Sequence, residues 1–249
     1  MDNALVLRLY DSGESDRIAT LLTRENGKLT AMAKSARASR ERFGVALDLY
    51  REVHAAWRPG RSDRTLLLRV EASSRTPAGF PDFERLATAA LWADFVDRFA
   101  PAGEPLPGLY DLLVQGLDLL RDPAMNVAAV RVAVSFELLA REGLAPSFGR
   151  CVECGRSLVR TAWKFVRASR GPVCGYCTAV SKEDRISPAA LKSFEVLRTR
   201  PPSQWKRLRV EPRLFDEIDR FTLDLLEEAA GAPLMAARFA AGGQVSRRV

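Results

Sequence analysis

Apolar and polar positions recur with a short period at the start of this chain and with a longer one after about residue 80. Five early segments, Ala4 to Tyr10, Arg17 to Thr23, Lys28 to Lys34, Leu49 to Trp57 and Thr65 to Glu71, alternate or are rich in β-branched and aromatic residues, which predicts strands. Asn26-Gly27 marks a hairpin between the second and third, because both residues tolerate positive φ, and Pro59-Gly60 marks a turn between the fourth and fifth. Five strands with a longer connection after the third have the size of an OB-fold, and the count equally allows an SH3-like barrel.

From Phe83 the period becomes helical. Leu86, Ala90, Leu91, Phe95 and Phe99 line one side of a helix from Phe83 to Phe99, stopped by Pro101. Leu109, Leu112, Leu113, Leu117 and Leu120 form a second stripe, with Asp111, Gln115 and Asp118 opposite. Val127 to Leu139 is apolar on most sides and closes at Gly143 and Pro146, which predicts a central helix. A fourth helix opens at Ser187-Pro188 and runs through Leu191, Phe194 and Leu197 to Pro201-Pro202. A fifth starts at Pro212, buries Leu214, Ile218, Phe221 and Leu225, and ends at Gly231 and Pro233. The expected architecture is α+β, with an N-terminal five-stranded OB-fold domain over residues 1–80. A helical domain over 81–249 follows, carrying a four-cysteine zinc segment at 150–178.

Composition narrows the class. With 47% apolar and 28% charged residues the chain is an ordinary globular protein, and its longest apolar run, Val127 to Leu139, is broken by Arg131, Ser135 and Glu137, so no membrane span is expected. The net charge of +7 is uneven: 14 basic against 10 acidic residues up to position 80, 5 against 10 up to 149, and 19 against 11 beyond. Basic ends around an acidic middle fit a chain whose ends meet a polyanion.

All four cysteines lie in one segment as Cys151/Cys154 and Cys174/Cys177, a C-x2-C-x19-C-x2-C spacing that suits a tetrahedral four-thiolate zinc site. Gly155 and Gly175 supply backbone freedom at the knuckles, and Arg150, Arg156, Arg160, Lys164, Arg167 and Arg170 provide a field expected to favour thiolates. Disulfides and a thioredoxin-like redox pair are the alternatives. The chain starts Met1-Asp2-Asn3 with neither the positive nor the apolar region of a secretion signal, so the expected home is the reducing cytosol. Four thiolates close the metal's shell, so the zinc would be structural.

The connection from Lys34 to Gly44 carries Lys34, Arg37, Arg40 and Arg42 against Glu41 alone. Such a loop suits phosphate contacts, and Phe43, Tyr50 and Trp57 are close enough in sequence to stack on bases. The plainer alternative is a solvated loop with the aromatics filling the barrel. Arg8, Arg17 and Lys28 on the strands complete the candidate nucleic-acid contacts. His54, the one histidine, reads as an ordinary strand residue. Gln204 to Arg209 is a second basic loop in which Trp205 is either a stacking residue or a buried one.

Catalytic motifs are missing: no phosphate-cradling G-x-x-x-x-G-K-[ST], no G-x-S-x-G and no H-E-x-x-H. Scattered carboxylates leave a two-metal nuclease as the enzymatic alternative, and a protein-binding scaffold as the other.

The run from Leu7 to Lys34, the Ala-Arg-x-x-Arg-x-Arg-Phe stretch ending at Phe43, and Ala140 to Pro146 leading into Cys151-Val152-Glu153-Cys154-Gly155 together resemble the bacterial RecO recombination mediators. One departure is Ser35, where many members of that family have glycine. The resemblance implies an OB domain, a helical middle and a zinc-binding segment. It further implies binding of single- and double-stranded DNA, annealing of complementary strands, contact with the tail of single-strand-binding protein, and partnership with RecR in loading RecA. A non-enzymatic, cytoplasmic, nucleoid-associated DNA-repair protein is the expected function.

Overall fold

A computed structural model describes residues 1–39, 41–60, 65–73, 79–145, 149–158, 163–166, 171–178, 190, 193, 196, 197, 199, 211–234 and 236–240. Two compact units group Met1–Val130 with Ala230–Val249, and Arg131–Ala229.

In the first unit, β1 (Asp2–Ser12), β2 (Asp16–Thr23), β3 (Gly27–Ala33), β4 (Glu52–Pro59) and β5 (Thr65–Ala72) close into a barrel in the order β1-β2-β3-β5-β4. All neighbours are antiparallel except β3 and β5, which pair in parallel through Ala31 with Thr65 and Met32 with Leu66. This five-stranded Greek-key closure is the OB arrangement, which leaves no free sheet edge. Alternation fills the interior: Ala4, Val6, Ala19, Leu21, Ala31, Ala33, Val53, Ala55, Leu67 and Val70 point inward. A register shift between Val6 and Arg8 turns the end of β1 so that Arg8 and Tyr10 face out.

The connection between β3 and β4 is wound into tight turns and closes the barrel with Ala36, Phe43, Ala46 and Leu47. Of the three aromatics read either as stacking residues or as barrel filling, Phe43 is therefore a core residue, Trp57 packs against that core, and Tyr50 is half-buried. Apolar side chains in this loop gain more from filling the barrel than a wet loop offers.

The Asn26-Gly27 turn forms in a different way from the expected one. Gly27 alone takes positive φ, at 70°, as the residue that closes a three-residue loop. Thr23 Oγ1 accepts from the Asn26 amide at 3.0 Å and donates to Gly27 O at 2.8 Å. A Cβ at Gly27 would overlap the backbone of Glu104, because residues 102–104 run alongside, with Gly103 N–H donating to Lys28 O at 2.9 Å.

Helices α1 (Phe83–Phe99) and α2 (Pro107–Arg121) belong to the same unit. Asp82 caps α1, accepting the Arg85 amide at 2.9 Å, and Pro107 opens α2. The buried side of α1 carries Leu91, Trp92, Phe95 and Val96, while Leu86, placed on the stripe by periodicity, is exposed. Tyr110 of α2 donates to the buried Glu52 of β4 at 2.9 Å, and Ser73 donates to the other oxygen at 3.0 Å. Burial, then the neighbouring Glu52, holds the Tyr110 hydroxyl well above the usual phenol range.

Helix α3 (Val127–Arg141), which belongs to the second unit from Arg131 onward, ends as expected at Gly143, whose φ of 69° closes a Schellman turn: Gly143 N–H donates to Ala140 O and Leu144 N–H to Leu139 O. Arg131 of α3 and Asp219 of α4 (Pro212–Ala230) form a buried bidentate pair at 2.8 and 2.5 Å, with side chains 3% and 7% exposed. The buried side of α4 is Phe215, Ile218, Thr222, Leu225 and Leu226. Leu214 and Phe221, expected on it, are half-buried. Ala190, Ser193, Val196, Leu197 and Thr199 are helical, and the remainder of the expected fourth helix lies outside the described residues, as do Trp205 and its basic loop. Strands β6 (Trp163–Val166) and β7 (Gly171–Cys174) pair as a hairpin in the cysteine segment, and α5 (Ala237–Ala240) packs beside α1, where Phe239 meets Phe83 edge-on at 5.8 Å. Among the described residues no helix is long and apolar enough to cross a membrane.

Candidate nucleic-acid interface and metal centre

The outer face of the barrel divides in two. On one side Leu5 and Leu22 are buried, and Lys28 and Glu52 share their rows. On the other side an outward row runs through register partners Tyr10, Ile18, Met32, Leu66 and Arg58, one from each strand. Tyr10 is 49% exposed, Ile18, Met32 and Leu66 are half-buried, and Arg58 is exposed. An apolar strip that starts at a tyrosine and ends at an arginine offers faces for bases and charge for phosphate.

The basic connection begins where this strip lies. Arg37 N–H donates to Ser15 O at 3.1 Å and Ser35 N–H to Asp16 Oδ1 at 2.8 Å, so the loop is fastened to the β1–β2 turn beside Ile18. Ser35 takes φ 54°, a left-handed conformation that glycine adopts without strain. Lys34 and Arg37 are exposed and, among the described residues, form no ion pair. Arg42 folds back, donating to Lys34 O at 2.9 Å and to Ser39 Oγ at 3.1 Å, with its guanidinium 5.1 Å from the Phe43 ring centre. Arg40 lies outside the described residues.

The strand cations are placed elsewhere. Arg8 bonds to Asp94 and Asp97 of α1, and Lys28 reaches Asp97. Burial works against the Arg8 charge, but the hydrogen bond to Tyr10 and then the two aspartates raise its pKa overall. These two cations fasten α1 to the barrel. Arg17 pairs with Asp11 at 3.1 Å at the barrel rim. Arg42 thus lies against Lys34, with Arg17 in the β2 row, while Lys28 is engaged with Asp97 and Arg8 is shared between the α1 aspartates and the hydroxyl of Tyr10, to which it donates at 3.0 Å.

The cysteines converge. Sγ–Sγ distances are 3.7 Å for Cys154–Cys174 and Cys174–Cys177 and 4.0 Å for Cys151–Cys177, and all four sulfurs lie within 4.8 Å of one another. A tetrahedral ion bound by thiolates at about 2.3 Å sets its sulfurs about 3.8 Å apart, so the cluster has the spacing and donors to hold a metal ion. Its frame is the β6–β7 hairpin, with Cys151, Leu158, Trp163, Val173 and Cys174 as a small core.

The electrostatics come from the backbone. Burial opposes ionisation of Cys151, yet amides of Cys174, Cys154 and Glu153 directed at its sulfur bring the thiol down to about 6. Cys174 is lowered in the same way, against its burial, by the Tyr176 and Cys177 amides. Cys177, hydrogen-bonded to Cys154 and crowded by the other sulfurs, is pushed up to about 12. Among the described residues two arginines of the expected field are engaged elsewhere: Arg150 donates to Gly155 O at 3.1 Å and Arg156 lies over Tyr176. Arg160, Arg167 and Arg170 lie outside the described residues. Gly155 takes φ 70°, whereas Gly175 has no positive φ.

Residues 1–72 match the family model described as "Recombination protein O N terminal", and residues 81–238 match "Recombination protein O C terminal". The chain belongs to the RecO family. It is 31% identical to the DNA repair protein RecO of Symbiobacterium thermophilum over 88% of this chain and 87% of that one. Identity to the RecO of Anaeromyxobacter dehalogenans (strain 2CP-C) is 38%, over 70% and 68% of the two chains, and to that of Myxococcus xanthus 34%, over 77% and 78%.

Within this RecO chain the sequence pattern did not single out Tyr10, Ile18, Met32, Leu66 and Arg58. Their signal is that the second apolar set of β1, β2 and β3 alternates with the first, which marks a barrel with apolar residues on both faces. Assigning the row needs the register, which only pairing supplies.

Proposed function

We propose that this RecO-family chain is a DNA-repair protein that binds single- and double-stranded DNA and anneals complementary strands without making or breaking bonds. The observation that carries the reading is the outward Tyr10–Ile18–Met32–Leu66–Arg58 row beside the exposed Lys34 and Arg37. Unpaired bases lie against the apolar strip, while Lys34, Arg37, Arg42, Arg58 and Arg40, which belongs to the same basic stretch of sequence, meet phosphates. Arg8 and Lys28, whose charges are paired with Asp94 and Asp97, keep α1 on the barrel and are not counted among the phosphate contacts of this reading.

The four thiolates hold zinc, whose closed tetrahedral shell supplies no catalysis and fixes the two knuckles against the β6–β7 hairpin. Family membership supports the remaining parts of the reading: work with RecR in loading RecA, contact with the tail of single-strand-binding protein, and a cytoplasmic, nucleoid-associated location.

Purified protein, with its zinc content measured, is incubated with labelled complementary strands with and without single-strand-binding protein, and in parallel with magnesium. The expected result is faster annealing and intact strands. Cleavage in magnesium would install the nuclease alternative, and no effect on strands at all would favour a protein scaffold.

A further inference from the structure

We infer that the second cysteine knuckle is a separate stacking site for an unpaired base, formed by Tyr176 with Arg156 behind it. The inference rests on the nucleic-acid reading above and adds a contact on the other compact unit.

Tyr176 lies between Cys174 and Cys177 and is 74% exposed, the largest exposure of any aromatic side chain among the described residues. A large ring left in water at a rigid position is unusual, since burying it would be favourable. The small core of this segment, Leu158, Trp163 and Val173, forms without it. Its setting is nonetheless built. The backbone around it is tied down by Cys177 N–H donating to Cys174 O at 3.0 Å and Thr178 N–H to the same oxygen at 3.1 Å. The guanidinium of Arg156 sits 4.0 Å from the ring centre, covering one face and fixing the plane.

Arg156 is itself placed by the first knuckle. Its carbonyl accepts from Cys151 N–H at 2.8 Å, and Arg150 donates to the adjacent Gly155 O at 3.1 Å. The two arginines and the tyrosine therefore belong to one corner of the segment. Residues 150–178 carry six basic side chains against one acidic, Glu153, so the segment stays positive after a four-thiolate site on a divalent ion subtracts two charges. An Arg–Tyr sandwich with one open face suits a planar, electron-rich base on a polyanion. A duplex hides its base faces, so the ligand class is single-stranded nucleic acid.

The direct test cross-links unmodified, metal-replete full-length protein to a 5-iododeoxyuridine oligonucleotide and maps the products by mass spectrometry. Attachment at Tyr176 is expected. Attachment at the barrel with none between residues 171 and 178 overturns the inference and leaves the barrel reading standing. No attachment anywhere, with no binding at low salt, overturns both. Affinity gives the second measure: Tyr176→Leu, with metal content retained, should weaken single-strand binding about tenfold and duplex binding less than twofold, and Tyr176→Phe should match the parent. Equal losses on single strands and duplex would mean that the residue acts through structure alone, and no loss would mean that the strand does not stack on the ring; either result overturns the inference.

Discussion

Ser35 and Gly27 both occupy left-handed backbone, and each makes a prediction. At Ser35, φ 54° is a conformation that costs an L-residue about 1–2 kcal/mol, partly offset by the greater unfolded-state freedom of glycine. Ser35→Gly should therefore stabilise by about 0.5 kcal/mol in urea unfolding, and a loss above about 1 kcal/mol would contradict the assignment. Gly27→Ala should destabilise by at least about 2 kcal/mol, because it adds the same strain and an overlap with the Glu104 backbone. Asp82, at the start of α1, has its pKa lowered: burial opposes ionisation, but the Arg85 amide and side chain outweigh it. A lowered folded pKa means that its contribution is present above the ordinary aspartate range and fades as pH falls into acid. Asp82→Ala should cost about 1 kcal/mol at neutral pH and less at pH 3, measured by thermal unfolding. The sequence shows turn residues well and their conformations poorly. Asn26-Gly27 was visible as a turn, yet the three-residue geometry depends on Thr23 and on residues 102–104, which lie far along the chain.

At the scale of elements, five strands, the span of α1 and the stops at Gly143 and Gly231 follow from pattern and capping chemistry. Which side of a helix is buried followed less well. Because α1 is covered on several sides, periodicity could not place Trp92 and Val96 inside or Leu86 outside. The four-residue strands β6 and β7 are too short to show a period. The Arg131–Asp219 pair joins residues 88 apart and was invisible to any local rule. It predicts that Asp219→Ala destabilises by about 3–5 kcal/mol by removing the carboxylate that balances a buried guanidinium, whereas replacing both residues by leucine costs much less; equal losses in chemical denaturation would refute the pairing.

For the whole molecule, the candidate site was half legible. The cysteine spacing gave the cluster outright, and the basic connection was plain from its charge. Its partition was not: Arg8 and Lys28 look like any other strand cations until Asp94 and Asp97 of α1 meet them. Phe43 likewise reads equally well as a stacking residue or as barrel filling until the loop folds it into the barrel. If zinc fixes the knuckles, prolonged chelation should release about one ion per chain and lower the unfolding temperature of the second unit. Loss of the ion with no change in unfolding would leave the cluster without a structural role.

The central claim is that fixed cations on the barrel hold a strand through its phosphates, and the salt dependence of binding measures this most directly. With about five phosphates neutralised on single-stranded DNA, log K should fall against log salt with a slope of about −3.5, and replacing Lys34, Arg37 and Arg58 by alanine should reduce it to about −1.4. Replacing Arg8 should leave the slope unchanged in protein that still folds. A slope near zero for the unmodified protein, or one that the triple replacement leaves at its original value, would contradict the account.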